Sequence, residues 1–149
     1  HMLLKDYLAP ELVFFDDSSP DKEESIRFLC HEIARVHHLD ASLLFHDVMD
    51  RESRMTTGMG SHIAVPHARM ESLDRFYMAC LVNHKGIDFQ SLDDKPVHIV
   101  VLLLSPRRMV KEHISLLSKI SYFLTDEGNF QKLLDARSFE DIEKIVRAY

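Results

Sequence analysis

The residues best equipped for chemistry are gathered in one stretch, Arg51 to Arg69, which reads RESRMTTGMGSHIAVPHAR. A neutral imidazole is a nucleophile near neutral pH, and a guanidinium offers forked, permanently charged donors to anionic oxygens. The apolar run Ile63-Ala64-Val65 stops at Pro66-His67. Proline fixes φ and removes a ladder donor, so the spacing predicts a short strand that ends there. His67 is then expected at the strand end, facing outward and held rigidly. That position suits a nucleophile or a ligand, because the scaffold aims the side chain while solvent or a partner can reach it.

The chain holds ten histidines, and most call for no function. His37, His38, His46 and His84 fall where surface or helix-edge residues are expected, and His31 and His98 read as structural. His62 lies an odd number of residues before His67, so a regular strand would point the two to opposite faces. The glycine-bearing loop Thr56 to Ser61 and Pro66 make that strand irregular, which leaves convergence open. Three imidazoles, His62, His67 and His113, define an alternative reading as a metal-binding protein or hydrolase with an open zinc site. The spacing of His62 and His67 is not one of the familiar metal-ligand spacings. Thr56, Thr57 and Ser61 are hydroxyl donors of a kind common in loops, and Gly58 and Gly60 serve the turn.

These residues need a scaffold, and the pattern on either side supplies one. Leu12 to Phe15 reads as a first strand. Ser19 as N-cap and Pro20 at the first helical position open a helix whose apolar residues, Ile26, Leu29, Ile33 and Val36, recur at helical spacing. Asp40 caps a second helix, which carries Leu44, Val48 and Met49 and ends near Arg51. Phe76 to Asn83 reads as a strand. Val97 to Leu104 is a nearly continuous β-branched and leucine run, as in a strand covered on both faces. Three helices close the chain: one from near Ser105-Pro106, one around Phe130, Leu133 and Leu134, and one opened by the capping box Ser138 to Asp141. The sum is an α/β domain of three layers, α/β/α, with a mixed sheet of about five strands.

Composition narrows the function classes. With 46% hydrophobic and 28% charged residues, the 149-residue chain has the balance of one globular domain. No apolar run reaches the length of a membrane span, so no direct membrane insertion is expected. A net charge of −6 without a Lys/Arg stripe argues against nucleic acid as a partner. Cys30 and Cys80 are expected as buried free thiols of a reducing, cytoplasmic compartment. His1-Met2 has the look of a tag remnant, which leaves residues 3–149 as a single domain.

The segment around His67 resembles the signature of the type-2 EIIA domains of the bacterial phosphoenolpyruvate-dependent phosphotransferase system, the mannitol, fructose and nitrogen-regulatory group. Glu52, Met59, Gly60, Ile63, Ala64, Val65, Pro66, His67 and Ala68 fall on its allowed residue types in order and without gaps. Gly86-Ile87-Asp88-Phe89, Asp94, Pro96-Val97 and Leu103-Leu104-Ser105-Pro106 extend the resemblance over nearly the whole chain. The resemblance implies a phosphotransferase component phosphorylated on His67, with Arg51 and His113 as further active-site residues and with neither metal nor cofactor. It implies a phosphocarrier protein, HPr or a relative, as donor, and an EIIB domain or a regulatory target as the next partner. Where the chain ends, after a helix and without a linker, leaves two expectations open, a stand-alone regulatory protein or a domain cut from a larger chain. His62 departs from the family, which commonly has glycine there, and Ala68 is within its range.

Overall fold

The computed structural model describes residues 2–149; His1, read above as part of a tag remnant, lies outside the described residues. The centre of the fold is an antiparallel pair, β5 (Tyr77–Ile87) and β6 (Val97–Pro106). β1 (Val13–Phe15) runs parallel to β5 on one side. On the other side β3 (Ile63–Ala64) and β4 (His67–Met70) both run parallel to β6, and β2 (Gly58–Gly60) pairs antiparallel with β3. The mixed sheet of about five strands expected between helices is thus found, with six short or long strands in all. The glycine-bearing loop pairs at Gly58–Gly60 as β2, and Pro66 divides the segment after it into β3 and β4.

Alternation along β5 and β6 explains why their apolar runs are so dense. Ala79, Leu81, Val100, Leu102 and Leu104 face one core with Ile26, Leu29, Ile33, Leu44 and Val48. Met78, Cys80, Val82, Ile99, Val101 and Leu103 face a second core with Leu116, Ile120, Phe123, Leu133 and Ile142. The first layer is α1 (Lys22–His37) and α2 (Ala41–Arg54), and the other is α3 (Val110–Thr125), α4 (Glu127–Asp135) and α5 (Phe139–Val146). Cys30 and Cys80 are free and buried in opposite cores, where burial pushes each thiol up to about 12. No helix among the described residues is long and apolar enough to cross a membrane.

Two expected helix starts are corrected. The cap of α1 is Asp21, which accepts from the Glu24 amide, and not Ser19. Asp21 is held extended by a bridge to Asp88, just past the end of β5: the Asp88 amide donates to the Pro20 carbonyl at 3.0 Å and the Lys22 amide to the Asp88 carbonyl at 2.9 Å. Helical backbone cannot begin until those bonds are made. Likewise α3 starts at Val110 and not near Ser105-Pro106, because β6 keeps pairing through Pro106, opposite Met70. Asp40 and Ser138 cap α2 and α5 as expected.

The turn from α2 into β2 is pinned by a buried charge. Glu52, only 4% exposed, accepts from the Thr57 amide at 2.7 Å and the Thr57 hydroxyl at 2.6 Å, and pairs with Lys22 Nζ at 2.9 Å. Thr56 completes the knot: its hydroxyl donates to the Phe89 carbonyl and accepts from Lys22 Nζ and the Gly58 amide. Gly58 is required by close approach, since a Cβ there would lie 2.4 Å from Ser91 Oγ and 3.0 Å from its Cα. Both threonines are thus committed to the fold. Removing one member of such a pair strands the other as a buried charge, at a cost of about 3 kcal/mol or more. Glu52→Ala is expected to lower stability by that amount in urea denaturation, and an unchanged midpoint would show that the knot carries no stability.

Candidate functional site

The break between β3 and β4 builds the site. Pro66 has no amide hydrogen, and its carbonyl takes the Leu103 amide at 3.0 Å. The chain then resumes pairing, so His67 is the first residue of a strand and not the last of one, which corrects the expectation of a histidine at a strand end. His67 Nδ1 lies 2.8 Å from the Val65 carbonyl. A carbonyl only accepts, so Nδ1 carries the proton and the Nε2 lone pair of the neutral ring is free. His67 is half-buried, and it is held by its own backbone neighbour within a rigid edge.

The strand period carries Arg69 to the same side as His67, with Ala68 and Met70 turned into the core. β4 and β6 place Arg69 opposite Ser105. His113, in the first turn of α3, reaches that Ser105 hydroxyl with Nδ1 at 2.7 Å, and its ring centroid stands 5.4 Å from that of His67. From the other layer, the last turns of α2 bring Arg51 and Arg54. The result is an open cavity of about 320 Å³ lined by His67 and His113 together with four arginines, Arg51, Arg54, Arg69 and Arg107, and with two carboxylates of α2, Asp47 and Asp50. Arg51 is aimed by a bond from Nη1 to the Met55 carbonyl at 3.0 Å, Arg54 is paired with Asp50 at 2.8 Å, and Arg69 reaches the Arg107 carbonyl.

The three residues singled out in the sequence, Arg51, His67 and His113, therefore meet. Three that were not, Arg54, Arg69 and Arg107, stand with them. Arg69 had a readable signal, since it lies two residues after His67 in a continuing strand; Arg107 becomes adjacent only through the β4–β6 register. His62 is not brought to the cavity. Its Nδ1–H donates to the Pro96 carbonyl at 2.8 Å, and its ring rests 5.6 Å from His98 and 6.1 Å from Phe130. Ser61 and His62 have φ of 57° and 67°, the positive pair expected of a two-residue hairpin turn between β2 and β3. That turn carries the imidazole away. Among the described residues no group of three or more His, Cys, Asp or Glu is placed to hold a metal ion, so the three-histidine zinc reading loses its geometry.

Electrostatics keep both site imidazoles neutral. Burial lowers His67 below the ordinary histidine value, and Arg51 adds to this, while the Val65 carbonyl and Glu52 act the other way. His113 is brought down to about 4, first by burial and then by His67, Arg69 and Arg51. For a base with a depressed folded pKa, the unfolded chain binds more protons as pH falls, so stability is present above the unfolded pKa and is lost on acidification. His113 is expected to contribute a loss of up to about 3 kcal/mol between roughly pH 6.5 and 4. Comparing urea denaturation of wild type and His113→Gln across that window isolates this share, and parallel pH profiles would refute it. His62→Gly is expected to leave the pH dependence of chemistry at His67 unchanged, because the His62 ring is tied to Pro96. A displaced pH–rate profile in that variant would contradict the separation.

Residues 6–149 match the family described as the phosphoenolpyruvate-dependent sugar phosphotransferase system, EIIA 2. A fructose-specific EIIA component of Haloferax volcanii is 32% identical over 139 residues, covering 91% of this chain and 89% of that protein. A nitrogen regulatory protein of Bradyrhizobium diazoefficiens is 27% identical over 145 residues, with coverage of 97% and 95%. The crystal structure of nitrogen regulatory protein IIA-Ntr from Neisseria meningitidis superposes with a TM-score of 0.90 at 23% identity, over 96% of this chain and 98% of that one. The fold is the same. With the match running from the first turns to the last helix, the chain belongs to the EIIA type-2 family of the phosphotransferase system.

Proposed function

We propose that this domain carries a phosphoryl group on Nε2 of His67. One observation carries the reading: the Val65 carbonyl holds the Nδ1 proton, and the ring beside that bond lines a cavity shared with His113 and four guanidinium groups. The Nε2 lone pair attacks the phosphorus of the incoming phosphocarrier. The new N–P bond forms as the bond to the donor atom breaks, and the donor leaves with the electron pair. The His67 Nδ1–H stays in place throughout. Phosphoryl transfer asks a protein chiefly for alignment and for stabilisation of charge on the equatorial oxygens. Arg51 supplies forked, permanently charged donors for them, and His113 supplies a neutral imidazole at the same mouth. The donor is HPr or a related carrier. The acceptor is an EIIB domain in sugar uptake, or the phosphorylated form itself acts on a regulatory target; the fructose-specific and nitrogen-regulatory relatives support the two branches alike.

Incubation with phosphoenolpyruvate, enzyme I and HPr is expected to add one acid-labile phosphoryl group to the wild type and none to His67→Ala, read by intact-protein mass spectrometry. Equal labelling of the two would sink the assignment. Arg51→Ala and His113→Ala are expected to fold and to be labelled on the order of 100-fold more slowly, the usual loss for one charge-stabilising donor. Wild-type rates in the folded variants would return both side chains to a structural role.

A further inference from the structure

The two histidines of the site take their Nδ1 partners from chemically different groups. His67 faces a carbonyl, which leaves no choice of tautomer. His113 faces the Ser105 hydroxyl, 2.7 Å away, which can donate or accept. The surroundings of Ser105 make the choice. Ser105 is fully buried between β6 and α3, and among the described residues its hydroxyl has no hydrogen-bond partner other than His113 Nδ1. If Nδ1–H donated to Oγ, the hydroxyl proton would be shut away from water with no acceptor. If Oγ–H donates to Nδ1, the hydroxyl proton and the ring lone pair are satisfied together. The second arrangement leaves the imidazole proton on Nε2.

We infer that Ser105 is a positioning residue that fixes His113 as the Nε2–H tautomer, the complement of the Nδ1–H tautomer that the Val65 carbonyl imposes on His67. The site then holds one imidazole with a free Nε2 lone pair and one with an Nε2–H donor. Its relevance to phosphoryl transfer rests on the proposed function above; the tautomers themselves do not. In that reaction His67 Nε2 forms the bond to phosphorus while His113 Nε2–H donates a hydrogen bond to an equatorial oxygen, and no proton changes owner. The lowered basicity of His113 keeps the ring neutral, so the donor role needs no titration. Arg69, opposite Ser105 in the β4–β6 register, would meet the same oxygens from the strand beside it.

Imidazole-directed 15N NMR of the uniformly labelled chain at pH 7.5 tests this directly, with His67→Ala and His113→Gln used to assign the two rings. The expected result is a protonated Nδ1 in His67 and a protonated Nε2 in His113. In Ser105→Ala the two nitrogens of His113 are expected to move toward averaged shifts, and labelling of His67 by the phosphocarrier to slow about tenfold, as for lost outer partners of histidine ligands. Ser105→Thr, which keeps the hydroxyl, is expected to restore both readouts. Circular dichroism confirms that the variants fold. A His113 protonated on Nδ1 in the wild type overturns the inference, and so do unchanged His113 shifts and rate in Ser105→Ala. If the complementary tautomers appear but no phosphoryl group is accepted, the tautomer assignment stands and the phosphocarrier reading falls.

Discussion

The bond from His67 Nδ1–H to the Val65 carbonyl exists because the edge of the sheet is interrupted. The Val65 amide donates outward to the Thr57 carbonyl, so Val65 turns its polar groups away from β6, and past the end of β2 its carbonyl takes the His67 ring instead of another strand. Pro66 cannot donate, yet its carbonyl still accepts from Leu103, so β6 holds the segment in place across the gap. The interruption is therefore rigid. It leaves two residues, Val65 and Pro66, between the paired segments and returns a fixed tautomer, a fixed ring direction and a strand that continues to Arg69 and Met70. Everything else at the site is arranged around a histidine whose orientation is set by backbone.

A second constraint lies beneath it. Glu52 closes α2 against β2 through Thr57 and reaches across to Lys22 at the start of α1. It is the residue next to Arg51, so the same turn of helix that buries a carboxylate turns a guanidinium outward to the cavity. The Arg-Glu pair thus divides in two, with the carboxylate buried in the scaffold and the guanidinium lining the cavity. Buried ion pairs are expensive to desolvate, and one that also ties two helices to a strand fixes geometry even where its net stability is small.

Much of this was legible in the sequence, and the failures have common causes. Val97 to Leu104 announced a strand covered on both faces, since no amphipathic reading of that run is available, and its two sets of side chains do enter the two cores. Asp40 and Ser138 were readable as caps because their bonds are local, three residues on. Ser19 and Pro20 gave an equally good local signal and lost, because pairing with Asp88 holds the backbone extended until Asp21. Arg51, His67 and His113 were found from the order of residue types in a resemblance, while Arg54 and Arg107 were not, since only the packing of α2 and the β4–β6 register bring them to the cavity. His62 was ambiguous on periodicity alone. Its place was decided by two consecutive left-handed residues, a backbone choice that no hydrophobic pattern encodes.

The short outer strands have a consequence for traffic through the site. β1 and β2 have three residues each, and β4, which bears His67, has four. Exposed edges of such length make poor templates for strand addition, the mode in which one chain zips onto another through a row of main-chain bonds. A visiting protein must engage this face through side chains and shape, with few backbone hydrogen bonds to break on departure. Contacts of that kind favour short residence times. A sheet that offers no long edge near His67 gives a partner protein little main chain to hold.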